Sequence, residues 1–195
     1  MANLTERVRN ILLRPTSEWA VIDGEAASIE GLFTGYAAVL AMIPAVAALI
    51  GGLLFTRAGL IGVLVDAILA FVLSLAAVFV EGLIFDALAP SFGAQRNRMQ
   101  ALKLAVYSAT PGWIAGALDI IPRLSPLAGL VGLYGLYVLY RGLPVLMKSP
   151  PEKTTAYFLV SVAVLIVVYF VMAIMTVVPV FLFGRALGGG VAASH

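Results

Sequence analysis

Two stretches without acidic or basic side chains constrain the fold more than any other feature of the sequence. One lies between Glu30 and Arg57, and the other lies between Lys153 and Arg185. An α-helix needs about 20 predominantly apolar residues to cross the hydrocarbon core of a bilayer, and both stretches are longer than that. They therefore predict helices that cross a membrane.

The composition of the whole chain leads to the same class of fold. Hydrophobic residues make up 62% of the sequence and charged residues 11%, against about 45–50% and roughly 25% in soluble domains. Only α-helices and closed barrels satisfy their backbone hydrogen bonds in lipid, and the apolar stretches lack the strict alternation of barrel strands. The sequence predicts an all-α integral membrane protein.

Hydropathy divides the chain into an N-terminal segment, a membrane domain and a tail. Residues 31–185 are predicted to form a bundle of five transmembrane helices, and residues 186–195 a flexible C-terminal tail. The fifth helix is either one long tilted helix or a helix that breaks at Pro179. The predicted spans are roughly 32–54, 59–84, 104–122, 125–147 and 154–183.

The distribution of basic residues predicts the orientation. Five spans place nine basic residues on one side of the membrane: Arg7, Arg9, Arg14, Arg96, Arg98, Lys103, Arg141, Lys148 and Lys153. Three lie on the other side: Arg57, Arg123 and Arg185. Because basic residues concentrate in cytoplasmic loops, the N-terminus is predicted to be cytoplasmic and the C-terminus to lie outside.

Residues 1–30 are predicted to form a cytoplasmic amphipathic segment at the membrane interface. Pro15 ends a first short helix, and a second helix presents Trp19 and Ile22. The segment either lies in the headgroup layer, as the tryptophan favours, or lies on the cytoplasmic end of the bundle. The apolar positions of the first helix recur at helical spacing: Leu4, Val8, Ile11 and Leu12.

The second predicted span carries a stripe of small and polar residues within an arc of about 120°. These residues are Gly62, Asp66, Ala70, Ser74, Ala77 and Glu81. Lipid offers such groups no partner, so we expect the stripe to face protein or water. Asp66 and Glu81 lie about 22 Å apart along the helix and hence near opposite membrane boundaries, which favours structural ion pairs over an ion pathway.

The expected ion-pair partners follow from the predicted topology. Asp66 and Asp119 share one membrane face with Arg57 and Arg123. Glu81 and Asp86 share the other face with three basic residues: Lys103, Arg98 and Arg141.

The stretch YSATPGWIAGALDIIPRLSP (107–126) interrupts the third predicted span. Pro111 frees a backbone carbonyl and bends the helix, and Gly112 and Gly116 form a pair that permits close packing. The stretch is either a kinked span or a discontinuous helix that shapes a substrate site. The pattern assigns no role to Trp113.

The fourth predicted span repeats glycine and tyrosine at intervals of three, which favours helix packing over an aromatic ligand site. The glycines are Gly129, Gly132 and Gly135, and the tyrosines are Tyr134, Tyr137 and Tyr140.

Other classes of function are disfavoured. The chain has no cysteine, and His195 is its single histidine. We identify no phosphate-binding glycine loop, and no nucleophile is paired with a base. The net charge of +2 is scattered, so nucleic acid is not an expected partner. We expect no enzyme activity, cofactor, catalytic residue or metal site.

Three segments carry a resemblance to a known family. They are RVRNILLRPTSEWAVI (7–22), AVYSATPGWIAGALDIIP (105–122) and GLYGLYVLYRGLPVLMKSPPEKTTAY (132–157). With the five-span layout, they make the chain similar to the Yip1 domain family, and specifically to its small bacterial members. The resemblance implies a five-helix membrane protein with a cytoplasmic N-terminus.

The functional expectation is correspondingly limited. Eukaryotic relatives act in vesicle traffic and bind small GTPases, but the Tyr-Gly-Pro-type motif that accompanies that role does not occur in this sequence. We expect a non-enzymatic protein of the bacterial inner (plasma) membrane that organises membrane proteins or lipids. Its expected partners are membrane lipids, a second copy of the chain, or other membrane proteins. The alternative is a small transporter, channel or lipid-moving protein that uses the stripe of the second span.

Overall fold

The structure is a computed structural model that describes residues 3–56 and 59–188, with side chains described as far as Val171. The secondary-structure elements of these residues are all helices or helical turns, joined by short loops. A π-helical turn, Phe33–Ala37, joins α3 to α4, and 3₁₀ turns cover Ala89–Phe92, Gly116–Ile120 and Pro122–Leu124. The α-helices are α1 (Leu4–Leu13), α2 (Pro15–Gly24), α3 (Ile29–Leu32), α4 (Ala38–Phe55), α5 (Leu60–Leu88), α6 (Arg98–Ser108), α7 (Thr110–Ala115), α8 (Ser125–Gly132), α9 (Tyr134–Leu146) and α10 (Pro151–Gly188).

Within the described residues, four helical segments are long and apolar enough to cross a membrane. They are Ile29–Phe55, Leu60–Phe92, Pro122–Leu146 and Pro151–Val171. The all-α membrane fold is thereby confirmed, and these segments overlap four of the five predicted spans. The predicted count of five is not reached, because residues 104–122 do not form one long helix.

The third predicted span is broken into three short helical pieces. α6 ends at Ser108, α7 begins at Thr110, and a 3₁₀ turn follows from Gly116 to Ile120. Pro111 therefore lies in the first turn of a new helix, where its missing N–H leaves no bond unmade. Only Ala109 interrupts the helical hydrogen-bond pattern between α6 and α7, and its backbone is itself right-handed helical. The bend expected at Pro111 stays a prediction, with which this interruption agrees.

These broken pieces run alongside the first long helix in the same direction. The ring of Tyr107 lies 4.7 Å from the ring of Tyr36. Further along, a Cβ on Gly116 would lie 2.5 Å from Cβ of Pro44, and a Cβ on Gly51 would lie 2.6 Å from the carbonyl oxygen of Asp119. Glycine is required at Gly51 and Gly116 because the two backbones approach too closely for a side chain.

The second long helix packs beside α6 at one end and beside α4 at the other. A Cβ on Gly82 would lie 2.6 Å from Cδ2 of Leu102, and a Cβ on Gly52 would lie 2.6 Å from Cγ1 of Val63. We call the end of the bundle that holds Gly82 and Leu102 the near end. The opposite end, which holds Gly52 and Val63, is the far end.

The chain divides into two compact units, residues 1–158 and 159–195. The first contains α1 to α9 and the start of α10. The described part of the second consists of the continuation of α10, which passes Pro179 without a break. Of the predicted tail 186–195, residues 186–188 belong to α10, and residues 189–195 lie outside the described residues, as do Arg57 and the side chain of Arg185.

Helices α1 and α2, which we call the N-terminal helix pair, are partly built into the first unit. The side chains of Ile11, Trp19 and Ile22 are fully buried. The Nε1–H of Trp19 donates to the carbonyl oxygen of Val138 in α9, over 3.0 Å. The expected position of Trp19 in the headgroup layer is therefore wrong, because its polar N–H has a partner inside the protein.

Candidate functional site

The small and polar stripe of α5 divides into two halves. In the near half, Ala77 is buried, and Ser74 accepts a hydrogen bond from Nε1–H of Trp113 over 2.8 Å. In the far half, three residues are exposed: Gly62, Asp66 and Ala70. The contact with Ser74 gives Trp113 the role that the sequence did not assign, since it ties α7 to α5.

Asp86, one of the predicted intramembrane acids, forms a salt bridge within the described residues. It is buried, and its Oδ2 accepts from Nε of Arg96 over 3.2 Å. Its Oδ1 is also buried but has no hydrogen-bond partner within the described residues. Arg96, which lies in the loop before α6, was not among the expected partners of Asp86.

The three basic residues expected to pair with Glu81 and Asp86 are engaged elsewhere. Nε of Arg141 donates to Oγ1 of Thr16 over 3.0 Å. The guanidinium of Arg98 lies 5.8 Å from the ring centre of Phe79. Lys103 binds the backbone of the N-terminal helix pair. Two of these contacts are made with the N-terminal region, at Thr16 and at the carbonyl oxygens that Lys103 binds. The sequence predicted pairs only among the spans and their connecting loops, so it did not predict them.

The remaining predicted acids differ in how exposed their side chains are. Glu81 is half-buried and has an interaction partner. Asp119 is half-buried, and Asp66 is exposed. No salt bridge within residues 3–56 and 59–171 includes Asp66 or Asp119. Of their expected partners, Arg123 is exposed, and Arg57 lies outside the described residues.

The predicted packing glycines behave in two ways. Gly116 and Gly135 lie at close contacts; a Cβ on Gly135 would be 2.6 Å from the carbonyl oxygen of Ser108. A Cβ on Gly132 would lie 3.7 Å from Cα of Gly112, whereas a Cβ on Gly112 would meet nothing within 4 Å. Gly62 has equally open surroundings. Close backbone packing thus depends on Gly116 and Gly135 rather than on every glycine of the motif.

An ion-pair cluster joins the two helices of the N-terminal helix pair. It is formed by Arg7 of α1, Glu18 of α2, and Glu25, which follows α2. Nη1 of Arg7 donates to Oε1 of Glu18 over 2.5 Å, and Nη2 donates to the carboxylate of Glu25 over 2.5 Å. Arg7 is 4% exposed and Glu18 is 5% exposed. Two carboxylates thus share one guanidinium, which can bind each with a separate N–H edge.

The charge state of Arg7 follows from this arrangement. Burial by itself lowers the pKa of the guanidinium, but the hydrogen bond to Glu25 and the nearby negative charges outweigh it, so the pKa of Arg7 is raised. Arg7 therefore stays positively charged at every working pH. Its guanidinium also lies 5.7 Å from the ring centre of Tyr107, which adds a cation–π contact.

Lys103 fastens the end of α2 to α6. Its Nζ donates to the carbonyl oxygens of Ile22, over 2.9 Å, and of Glu25, over 2.6 Å. The last carbonyls of a helix have no partner within that helix, so a lysine ammonium is well suited to them. Beside this contact, Nε2 of Gln100 donates to Oδ1 of Asp23, and Lys148 forms a salt bridge with the same carboxylate.

Aromatic rings pack against the ion-pair cluster. The ring of Tyr107 lies between those of Trp19, at 6.2 Å, and Tyr36, at 4.7 Å. The hydroxyl of Tyr36 shares a 2.9 Å hydrogen bond with Thr110. Tyr36 lies in the π-helical turn, an irregularity that is frequent at functional sites. The arrangement holds helices together through charge and aromatic contacts, and it includes three buried polar or charged side chains: Arg7, Glu18 and Thr110.

The sequence contained no direct signal for this cluster. Its partners are 11 and 18 residues apart, which matches neither the i+3 nor the i+4 spacing of helical ion pairs. The sequence offered one indirect signal, which was Arg7 among the residues of a short amphipathic helix. Among the described residues, no group of three or more His, Cys, Asp or Glu side chains is placed to hold a metal ion.

Long apolar helices, a helix broken into short pieces and a buried polar N-terminal region define a multi-pass α-helical membrane protein. Residues 9–187, nearly the whole chain, match the family model of the Yip1 domain. The chain belongs to the Yip1 domain family, and the resemblance read from its three segments is confirmed. No curated protein and no solved structure matches the chain.

Proposed function

We propose that this protein is a non-enzymatic protein of the bacterial inner membrane that organises other membrane proteins or lipids through helix packing and self-association. The observation that carries the proposal is the outer stripe, by which we mean Gly62, Asp66 and Ala70 of α5. All three are exposed, in contrast to the near half of the same face.

The topology that we propose has five crossings, with the N-terminus in the cytoplasm and the C-terminus outside. Support for a fifth crossing comes from residues 98–120, which accompany the first long helix from Tyr36 past Pro44 to Gly51. A broken crossing is tolerated in a membrane where neighbouring helices surround it, and residues 101–108 are all buried. The excess of basic residues at the near end supports the orientation.

The outer stripe is suited to a contact with a second copy of the chain. A Cβ on Gly62 would meet nothing within 4 Å, so another helix has room to approach. Apolar side chains flank the stripe; Leu69 is 51% exposed, and Val65 is 48% exposed. An ionised carboxylate on such a surface costs about 2.5–3.5 kcal/mol at mid-membrane and less near the boundary. Pairing Asp66 with Arg123 of a second copy reduces that cost.

Cysteine cross-linking in membranes tests the proposal directly, because the natural chain has no cysteine to compete. Under oxidising conditions, Gly62→Cys is expected to form a disulfide-linked dimer. Ile68→Cys is the matched control, since Ile68 is exposed on the opposite side of α5. Cross-linking at both positions to the same extent would mean random collision and would refute a specific interface.

The rival function, a small transporter, channel or lipid-moving protein, depends on the same acid. Asp66 is exposed and forms no salt bridge with any described residue, as expected of a group that receives an ion. Flux and lipid-scrambling assays on liposomes separate the two functions. Our proposal predicts the same background flux for the natural protein and for Asp66→Asn and Asp119→Asn. A flux that these substitutions abolish would establish the rival.

A further inference from the structure

The outward face of α1 contains a basic pocket that the proposed function does not use. It has a volume of about 160 Å³ and is lined by Arg9, Asn10, Leu13 and Arg14. Arg9, Asn10 and Leu13 lie on one face of α1, since their spacing is i, i+1 and i+4, and Arg14 is the residue that follows the helix. The pocket is separate from the ion-pair cluster, which lies on the buried side of the same helix.

Within the described residues, the two arginines of the pocket lack the salt bridges that three other basic residues form. Arg7, Arg96 and Lys148 form salt bridges, whereas Arg9 and Arg14 form none with any residue that the structure describes. Both are exposed. Glu6, one turn before Arg9, does not line the pocket. Two guanidinium groups and one amide therefore face a concave site whose lining contains no carboxylate.

This set of donors matches the chemistry of a phosphate group. A guanidinium presents a planar fork of N–H donors that binds two phosphate oxygens at once, and the amide of Asn10 supplies further donors. Two positive charges suit a phosphodiester or a phosphomonoester. The site is thus selective for an anion with several oxygens.

The surroundings of the pocket indicate where that anion comes from. Leu13, which lines the pocket, is 69% exposed. The neighbouring carbonyl oxygen of Leu12 accepts a 2.9 Å hydrogen bond from the hydroxyl of Tyr134, at the start of α9 in a segment long enough to cross the membrane. α1 is thereby attached to the side of a membrane helix, with an exposed apolar residue next to two free cations.

We propose that this pocket binds the headgroup phosphate of an anionic phospholipid. Arg9 and Arg14 bind the phosphate, Asn10 contributes a hydrogen bond, and the first part of an acyl chain lies along Leu13. The buried side chains of Arg7 and Ile11 hold the opposite face of α1 in the protein, so the pocket is positioned before lipid arrives. The inference specifies a lipid partner within the proposed function, and it rests on that function only for the membrane location.

Native mass spectrometry of the full chain, released from nanodiscs with equal amounts of phosphatidylglycerol and phosphatidylcholine, tests the site. The natural protein is expected to retain phosphatidylglycerol preferentially. The double substitution Arg9→Gln and Arg14→Gln is expected to lower this preference by about tenfold or more, because charge-assisted hydrogen bonds are lost. Lys153→Gln, at an exposed basic residue outside both the pocket and the outer stripe, is the control and is expected to keep the preference.

Two results would overturn the inference. One is an unchanged preference in the double variant, whose thermal midpoint must match that of the natural protein to show that it is folded. The other is complete displacement of phosphatidylglycerol by an equal concentration of inorganic phosphate, which would identify a site for a free anion. Neither result bears on cross-linking at Gly62, so failure of the lipid site and failure of self-association are distinguishable.

Discussion

The near and far ends of the bundle meet the requirements of polar groups in a membrane protein differently. At the near end Arg7, Glu18 and Lys103 are at most 5% exposed, and all three have partners within the chain. At the far end Ile61 is 80% exposed and Leu54 67%, while Asp66 is exposed without a salt bridge to the described residues. These polar side chains at the near end have partners inside the protein. At the far end, exposed apolar side chains and Asp66 are available to lipid or to another protein.

This difference suggests that the near end stabilises the fold and that the far end contacts lipid or other helices. A buried charge that loses its partner is costly, so the near end tolerates little change. The exposed apolar surface of the far end suits contact with lipid or with other helices. Substitutions at the two ends should therefore have effects of different size and kind.

The largest effect is expected from Arg7→Met. The substitution leaves the carboxylates of Glu18 and Glu25 close together without their shared cation, and breaking a buried pair in this way costs about 3–5 kcal/mol. Thermal unfolding of the purified full chain in detergent measures the loss. Arg9→Met on the exposed face of the same helix is the control, and equal destabilisation by both would contradict the asymmetry between the two faces.

The second effect compares two glycines on the same short segment. In Gly116→Ala the new methyl group would lie 2.5 Å from Cβ of Pro44, and such overpacking costs about 1–3 kcal/mol. Gly112→Ala, which meets nothing within 4 Å, is expected to be neutral. The midpoints of thermal unfolding distinguish them. A midpoint for Gly116→Ala equal to that of the natural protein would show that α4 and residues 116–120 separate easily.

A smaller effect is expected at the bond between Trp113 and Ser74. Trp113→Phe removes the indole N–H, which donates to Ser74 over 2.8 Å, and a hydrogen bond of this kind contributes about 0.5–1.5 kcal/mol. A double-mutant cycle with Ser74→Ala measures the coupling between the two side chains. Additive losses in the free energy of unfolding would exclude a role for this bond in joining α7 to α5.

The smallest effect on stability, and the most specific effect on association, is expected from Asp66→Asn. An exposed substitution of this kind changes the free energy of unfolding by no more than about 0.5 kcal/mol. The disulfide yield of Gly62→Cys should nevertheless fall when Asp66→Asn is added, because the contact to a second copy loses its charge. An unaltered yield would exclude Asp66 from the interface and leave the far end as a lipid-facing surface.

Predictions from local patterns agreed well with the fold. Four predicted spans overlap long apolar helices, because hydropathy over about 20 residues reflects a property of that segment alone. The break at residues 107–126 was also visible, since proline and glycine act locally. Its form was not predicted, because the packing of Gly116 against Pro44 decided where α7 ends and the 3₁₀ turn begins.

Predictions about partners of individual side chains agreed less well. Acids and bases do lie together at the near end, but Asp86 pairs with a loop residue, Arg96, and Arg141 contacts Thr16 of the N-terminal helix pair. The distances that decide these pairs depend on how the helix pair packs against α6 and α9. Spacing along the chain contains no information about that packing.

The sequence by itself determined that this chain folds as helices in lipid, because so few charges in so apolar a chain leave no other way to satisfy the backbone. It also determined the family, through segments whose residues lie close together along the chain. Only the tertiary structure decided that Arg7 and Trp19 are buried and that the outer stripe of α5 is exposed. The physical reason is that burial of a side chain depends on which distant helices surround it, whereas the tendency to enter a membrane is summed locally along the chain.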